Sequence, residues 1–81
     1  MGKHQNLVKI GKKIREARKS KGFSQEEFAA EVGMGRTYMG RVERGEQNIS
    51  IQNLIQIALT LKVELAILLP SLKELKRILR S

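Results

Sequence analysis

The stretch "GMGRTYMGRVERG", residues 33–45, decides how this chain folds. Met39 and Val42 are three apart, the spacing of side chains that share one helical face. Gly33, Gly35 and Gly45 bracket the run and Gly40 interrupts it, so a short helix over residues 36–44 sits between turns and carries Arg36, Arg41 and Arg44. On a wheel of about 100° per residue, Met39 and Val42 point to one side. Thr37, Arg41 and Arg44 point to the other, with Gly40 between them and Arg36 and Tyr38 on the flanks. Two readings fit such a face. It is a set of solvated side chains, with Arg44 complementing the negative end of the helix. Or it enters a major groove, where Arg pairs bidentately with guanine and Thr meets a thymine methyl or a polar base edge.

Outward from this helix, every segment reads as helical. Upstream, in "FSQEEF", Ser24 and Glu27 form a capping box, and Phe23 and Phe28 take the two positions of a hydrophobic staple. A second helix therefore starts at Gln25, and Gly33 stops it after Phe28, Ala29 and Val32. Only Gly33, Met34 and Gly35 separate it from the arginine helix, a link short enough to force a steep helix-turn-helix crossing. Gly35 is a tolerable N-cap. Earlier still, Leu7, Ile10, Ile14 and Ala17, with Gly11 and Arg18 in the same stripe, predict a first helix ended by Gly22. Downstream, Ser50 caps a fourth helix whose buried stripe is Ile51, Leu54, Ile55, Ala58 and Leu61. Ile57 and Leu59 lie off that stripe, so this helix is covered on two sides. Pro70 breaks the leucine pattern that follows, and Ser71 with Glu74 makes a second capping box. A fifth helix over 64–69 and a sixth over 72–80 are expected. The fold class is all-α: five or six short helices in a compact bundle. Residues 1–81 read as a single domain, with the motif at 24–44 and a dimerisation region at about 51–80.

Composition narrows the function. The chain has 81 residues and no cysteine, which excludes disulfides and thiolate metal sites. A domain this small buries only somewhat more than about 60% of its unfolded surface, so a partner subunit would help it. The net charge is +8 and the pI about 10.3, above the rough threshold of about 9 that points to nucleic acid. The charge is uneven: +7 in residues 1–21, −2 in 22–50 and +3 in 51–81. All eight acids are Glu, which removes Ser-His-Asp triads and Asp-based metal sites. His4 is the only histidine and lies in a polar tail, where neither a metal nor a general-base role is expected. No enzyme activity and no cofactor are indicated. No apolar signal region precedes the first helix, and Asn6 stands where N-myristoylation wants Ser or Thr. The apolar run from Leu54 to Leu69 is broken by Gln56, Thr60, Lys62 and Glu64, which argues against a membrane span. A cytoplasmic location is the expectation.

Three stretches, "IREARKSKGFSQEEFAAEVG", "RTYMGRVERGEQNIS" and "IQIALTLKV", resemble the Cro/C1-type, or xenobiotic-response-element, helix-turn-helix family. The pattern "RTYxxxxERGxxNxS" is similar to that of the small controller proteins of restriction-modification systems. Lys62 departs from it, because many members carry Gly after the fourth helix. The resemblance implies a lambda-repressor-like fold and sequence-specific binding of double-stranded DNA as a homodimer on a pseudo-palindromic operator, regulating transcription. It implies that Ala29 and Gly33 let the motif helices cross closely. It gives Arg36, Thr37, Tyr38 and Arg41 base-reading roles, with Gln25 and Asn48 on phosphates; Arg44 on the outer face of its helix, and Lys12 and Lys13 in the basic first helix, are read as further phosphate contacts. It also pairs Arg18 with Glu43 across the fold. Acidic residues on the second helix touch RNA polymerase in some family activators, a minority reading for Glu26 and Glu27. Ile57, Leu65, Leu68 and Leu69 exceed what one small core can cover and suggest a two-fold interface, which Leu72, Leu75 and Leu79 either extend or fold away from. Autoregulation by the protein's own concentration is the simplest expectation, with no small-molecule effector. The reading from another class is an antitoxin or coactivator-type helical module that engages a protein.

Overall fold

The structure, a computed structural model, describes residues 4–74. Among them lie four α-helices, α1 (Gln5–Ser20), α2 (Gln25–Val32), α3 (Arg36–Glu43) and α4 (Ile51–Leu61), and a 3-10 helix over Leu65–Leu68. A final helical turn opens at Leu72. Expectations for Leu75 and Leu79, and for most of a sixth helix, fall outside the described residues.

Each boundary has a local cause. The His4 imidazole caps α1 by accepting from the Asn6 amide at 3.2 Å, a use for the sole histidine that composition did not suggest. The Ser24–Glu27 capping box is closed in both directions, and the Phe23 and Phe28 rings stand 5.5 Å apart, so the staple fixes how the chain enters α2. At the other end Gly33 takes the left-handed conformation, φ +86°. The Met34 amide then bonds back to the Ala29 carbonyl at 2.8 Å, closing α2 with a Schellman turn. Ser71 and Glu74 form the second capping box, at 2.8 and 3.1 Å.

The core is built from Ile14, Phe28, Met39, Ile57, Leu61 and Leu68, all fully buried. α1 crosses α3 at backbone contact. A Cβ at Gly11 would overlap the Val42 carbonyl oxygen and stand 2.6 Å from that of Glu43. Glycine costs a helix interior about 1 kcal/mol relative to alanine, and here that cost lets α1 and α3 meet backbone to backbone.

Two readings of the C-terminal half need correction. Ile57 and Leu68, expected at a subunit interface, are completely buried inside the protomer, while Leu65 and Leu69 are half-buried against its core. On α4 the buried residues are Leu54, Ile57, Ala58 and Leu61, whereas Ile51 and Ile55, expected inside, are 60% and 41% exposed. The reason is that α4 is apolar on two sides, and the 3-10 helix packs on it and places Leu68 in the same core as Ile57. The fifth helix is accordingly a tight 3-10 segment, shorter than the expected span. Its place in the core comes from Leu68 and not from helical periodicity.

Candidate nucleic-acid interface

α3 is held from behind by Met39 and Val42, both buried, and presents Arg36, Thr37 and Arg41 to solvent. Gly40 does not lie on that outer face, as the wheel suggested. It is buried, and a Cβ there would meet Arg44 Nη1 at 3.1 Å and Gln25 Oε1 at 3.5 Å. The missing side chain lets two polar groups close over the middle of the helix. Gln25, Arg36, Thr37, Gly40 and Arg44 line one open recess of about 240 Å³. So the first residue of α2 and the outer side of α3 form a single polar surface.

That surface is fixed by a buried ion pair. Glu43 accepts from Arg18 Nε at 2.6 Å and from Arg18 Nη2 at 3.0 Å, the two-point geometry in which a guanidinium fits a carboxylate best. Arg18 Nη1 also donates to the Phe23 carbonyl at 2.8 Å, tying α1 to the segment that enters α2. Gln25 Nε2 donates to Glu43 Oε1 at 3.1 Å. The network therefore spans α1, α2 and α3. It sets the angle between the motif helices, and it positions Gln25 at the N-terminal end of α2, where free backbone amides favour an anion.

The other residues singled out from sequence are not all gathered here. Arg44, at the recess edge, forms an ion pair with Glu46 at 3.2 Å. Asn48 is exposed in the loop before α4. Tyr38 is half-buried, packs against the core, and its hydroxyl accepts from Asn53 Nδ2 of α4 at 3.0 Å. Lys12 and Lys13 lie apart from the recess. With Lys9, Glu16 and Glu74 they line a separate depression, in which Glu74 sits 3.6 Å from both Lys9 and Lys13. Sequence reading missed Asn53, Glu46 and the bond from Gln25 to Glu43. Asn53 and the bond from Gln25 to Glu43 have no local signal, since they depend on how distant segments meet; the Arg44–Glu46 pair is local, two residues apart.

Acidic side chains on α2 differ in availability. The Glu27 carboxylate accepts from the Ser24 amide at 2.9 Å, and this bond, with that to the Ser24 hydroxyl, holds its pKa below the usual 4.5. Glu26 is exposed in the first turn of the same helix. Among the described residues no group of His, Cys, Asp or Glu has metal-binding geometry, and no single helix is long and apolar enough to cross a membrane.

Two short helices joined by a three-residue turn, the second turning Arg and Thr outward, are a helix-turn-helix unit. Residues 14–68 match the helix-turn-helix family HTH_3, and the chain belongs to that family, the Cro/C1-type DNA-binding transcriptional regulators. It is 38% identical over 60 residues to the control protein C.MunI of a Mycoplasma species, spanning 73% of this chain and 81% of that one. The solved structure of the restriction-modification controller protein C.AhdI from Aeromonas hydrophila is similar, with a TM-score of 0.77 and 43% identity over 80% of this chain and 98% of that one. The biofilm master regulator SinR, solved in complex with DNA, is also similar, with a TM-score of 0.69 and 38% identity over 73% of this chain and 95% of the other.

Proposed function

We propose that this protein is a sequence-specific regulator of transcription that binds a pseudo-palindromic operator as a homodimer and controls its own synthesis in the manner of a controller protein. The observation that carries this reading is the polar surface of α3 and the α2 N-terminus, held rigidly by the Arg18–Glu43–Gln25 network. Arg36, Thr37 and Arg41 read base edges, because their side chains stand free on the outer side of α3. Gln25, Arg44 and Asn48 hold phosphates and set the register. Lys12 and Lys13 act at longer range, adding to the field that draws any duplex toward the chain. Glu26, and not the capped Glu27, is the acid available to RNA polymerase.

The second protomer docks on α4. Ile51, Ile55 and Leu59 are 60%, 41% and 65% exposed and recur every fourth residue along one side. No charged residue occurs anywhere in α4. Between identical chains of net charge +8, a neutral apolar face meets its own copy without like-charge repulsion. An isologous contact there presents two recognition helices to half-sites about 34–36 Å apart, one turn of DNA.

The test combines two measurements. Wild-type protein selects duplexes from a random pool at near-physiological salt, and the selected and scrambled duplexes are compared by bandshift. Sedimentation then follows Ile55→Ser and Leu59→Ser, expected to be folded monomers with weakened operator binding, and Ile57→Ser, expected to unfold. A wild-type protein that shows no preference among duplexes defeats the DNA-binding reading and favours a protein-binding module. If Ile55→Ser and Leu59→Ser remain dimers, the interface lies elsewhere.

A further inference from the structure

Tyr38 and Asn53 are the one side-chain pair that joins the recognition helix to α4 by a hydrogen bond among the described residues. Asn53 is the third residue of α4. Its backbone amide is already satisfied by the Ser50 hydroxyl at 3.1 Å, so its side chain is not needed as a cap. It donates from Nδ2 to the Tyr38 phenolic oxygen at 3.0 Å instead.

The direction of that bond matters. A phenol has one proton to give and lone pairs to receive. With Asn53 occupying the oxygen as a donor, the proton of Tyr38 remains to be given, and no side chain or carbonyl among the described residues takes it. Tyr38 follows directly on Arg36 and Thr37 in the first turn of α3, and its ring is wedged against the core. Its position is therefore fixed, and its proton is left to be donated.

We propose that Asn53 is a positioning residue for DNA recognition: it holds the Tyr38 hydroxyl so that its proton is offered to an acceptor on the duplex, a phosphate oxygen or an acceptor on a base edge. This rests on the DNA-binding reading above. It makes Tyr38 a directed donor at that contact, with one of its lone pairs already taken by Asn53. A carboxylate at residue 53 inverts the arrangement. Asn53→Asp has only acceptors, so it draws the phenolic proton to itself and leaves Tyr38 presenting lone pairs outward.

The experiment is a double-mutant cycle of Tyr38→Phe and Asn53→Asp. Binding is measured to a duplex selected by the wild-type protein, at several salt concentrations and at a temperature where melts show every variant folded. Tyr38→Phe is expected to weaken binding about tenfold per half-site, the loss of one hydrogen bond to an ionised or buried acceptor. Asn53→Asp is expected to weaken it further, because it adds a salt-dependent charge penalty. In the Tyr38→Phe background only that penalty remains, so the factor lost on Asn53→Asp shrinks by about tenfold. Sedimentation of Asn53→Asp is expected to match wild type. An equal factor in both backgrounds, or a Tyr38→Phe variant that binds as wild type does, overturns the proposal and leaves the DNA-binding reading standing. Dissociation of the Asn53→Asp dimer also overturns it, by assigning the residue to the subunit interface. A wild-type protein that selects no duplex overturns both.

Discussion

Replacing Glu43 by Gln keeps the shape of the side chain and removes its charge, which isolates what the buried ion pair contributes. The carboxylate accepts three hydrogen bonds, from Arg18 Nε at 2.6 Å, Arg18 Nη2 at 3.0 Å and Gln25 Nε2 at 3.1 Å. An amide offers a single oxygen for those donors and turns its own N–H groups toward one of them. The Arg18 guanidinium is then left without a counter-charge at a site where the two side chains are only 8% and 3% exposed. Removing one partner of a buried pair costs about 3–5 kcal/mol, against a total stability of about 5–15 kcal/mol for a domain. With a urea m-value of about 1–3 kcal/mol/M, the unfolding midpoint of Glu43→Gln falls by at least about 1 M. The pair of changes Arg18→Met and Glu43→Leu should recover most of that loss, because both desolvation penalties vanish together. Phe23 and Gln25 lose a partner in that variant, but both sites are half-exposed and water can replace it. DNA binding should stay weak even so, since Gln25 no longer has an anchor. If Glu43→Gln costs under about 1 kcal/mol, the pair behaves as an exposed one, and the network does not fix the motif angle.

Lys62 ends α4 in the left-handed conformation, with φ 59° and ψ 44°. Lys62→Gly removes the Cβ conflict there and should raise stability by about 0.5–1 kcal/mol, seen as a melting temperature a few degrees higher. Arg41→Ala should cost about 1–3 kcal/mol per half-site and relax preference at one base pair, whereas Gln25→Ala or Asn48→Ala should weaken all duplexes alike; titrations against selected and scrambled duplexes separate the two. Glu27 and Glu74 are both held below the ordinary 4.5, chiefly by the Ser24 and Ser71 amides. Their contribution is therefore complete above about pH 4.5 and lost as pH falls through the lower folded values, so Glu27→Gln should flatten the acid side of a urea-midpoint profile.

How legible each part was depends on the range of the interaction that decides it. The two capping boxes, the staple and the glycine stops at Gly22 and Gly33 are local, and all stand where short-range spacing puts them. The buried Met39 and Val42 and the exposed Arg36, Thr37 and Arg41 follow from one helical period. The Arg18–Glu43 pair joins residues far apart in the chain, and no pattern within either helix specifies it; the family resemblance supplied it. Tyr38 stood on the flank of the helical wheel, and the family resemblance gave it a base-reading role. Its bond to Asn53 turns the phenol toward α4, which only the packed structure reveals.

α4 is where local reasoning had two solutions. The helix is apolar at most of its 11 positions, so stripes through Ile51 and Ile55 or through Ile57 and Leu61 satisfy the same spacing. The core can accept only one of them. The 3-10 helix packs on α1 and α4 and brings Leu68 into the same core as Ile14 and Ile57, and that wall selects the side carrying Ile57. The rejected stripe is thereby left outside, as Ile51, Ile55 and Leu59. A chain of net charge +8 leaves few surfaces that can meet their own copy, and this one carries no charge at all. The packing that takes Ile57 into the core thus also creates the face on which the proposed dimer forms. The same helix holds Asn53 against Tyr38, so the element on which the proposed dimer forms also steadies the first turn of the recognition helix.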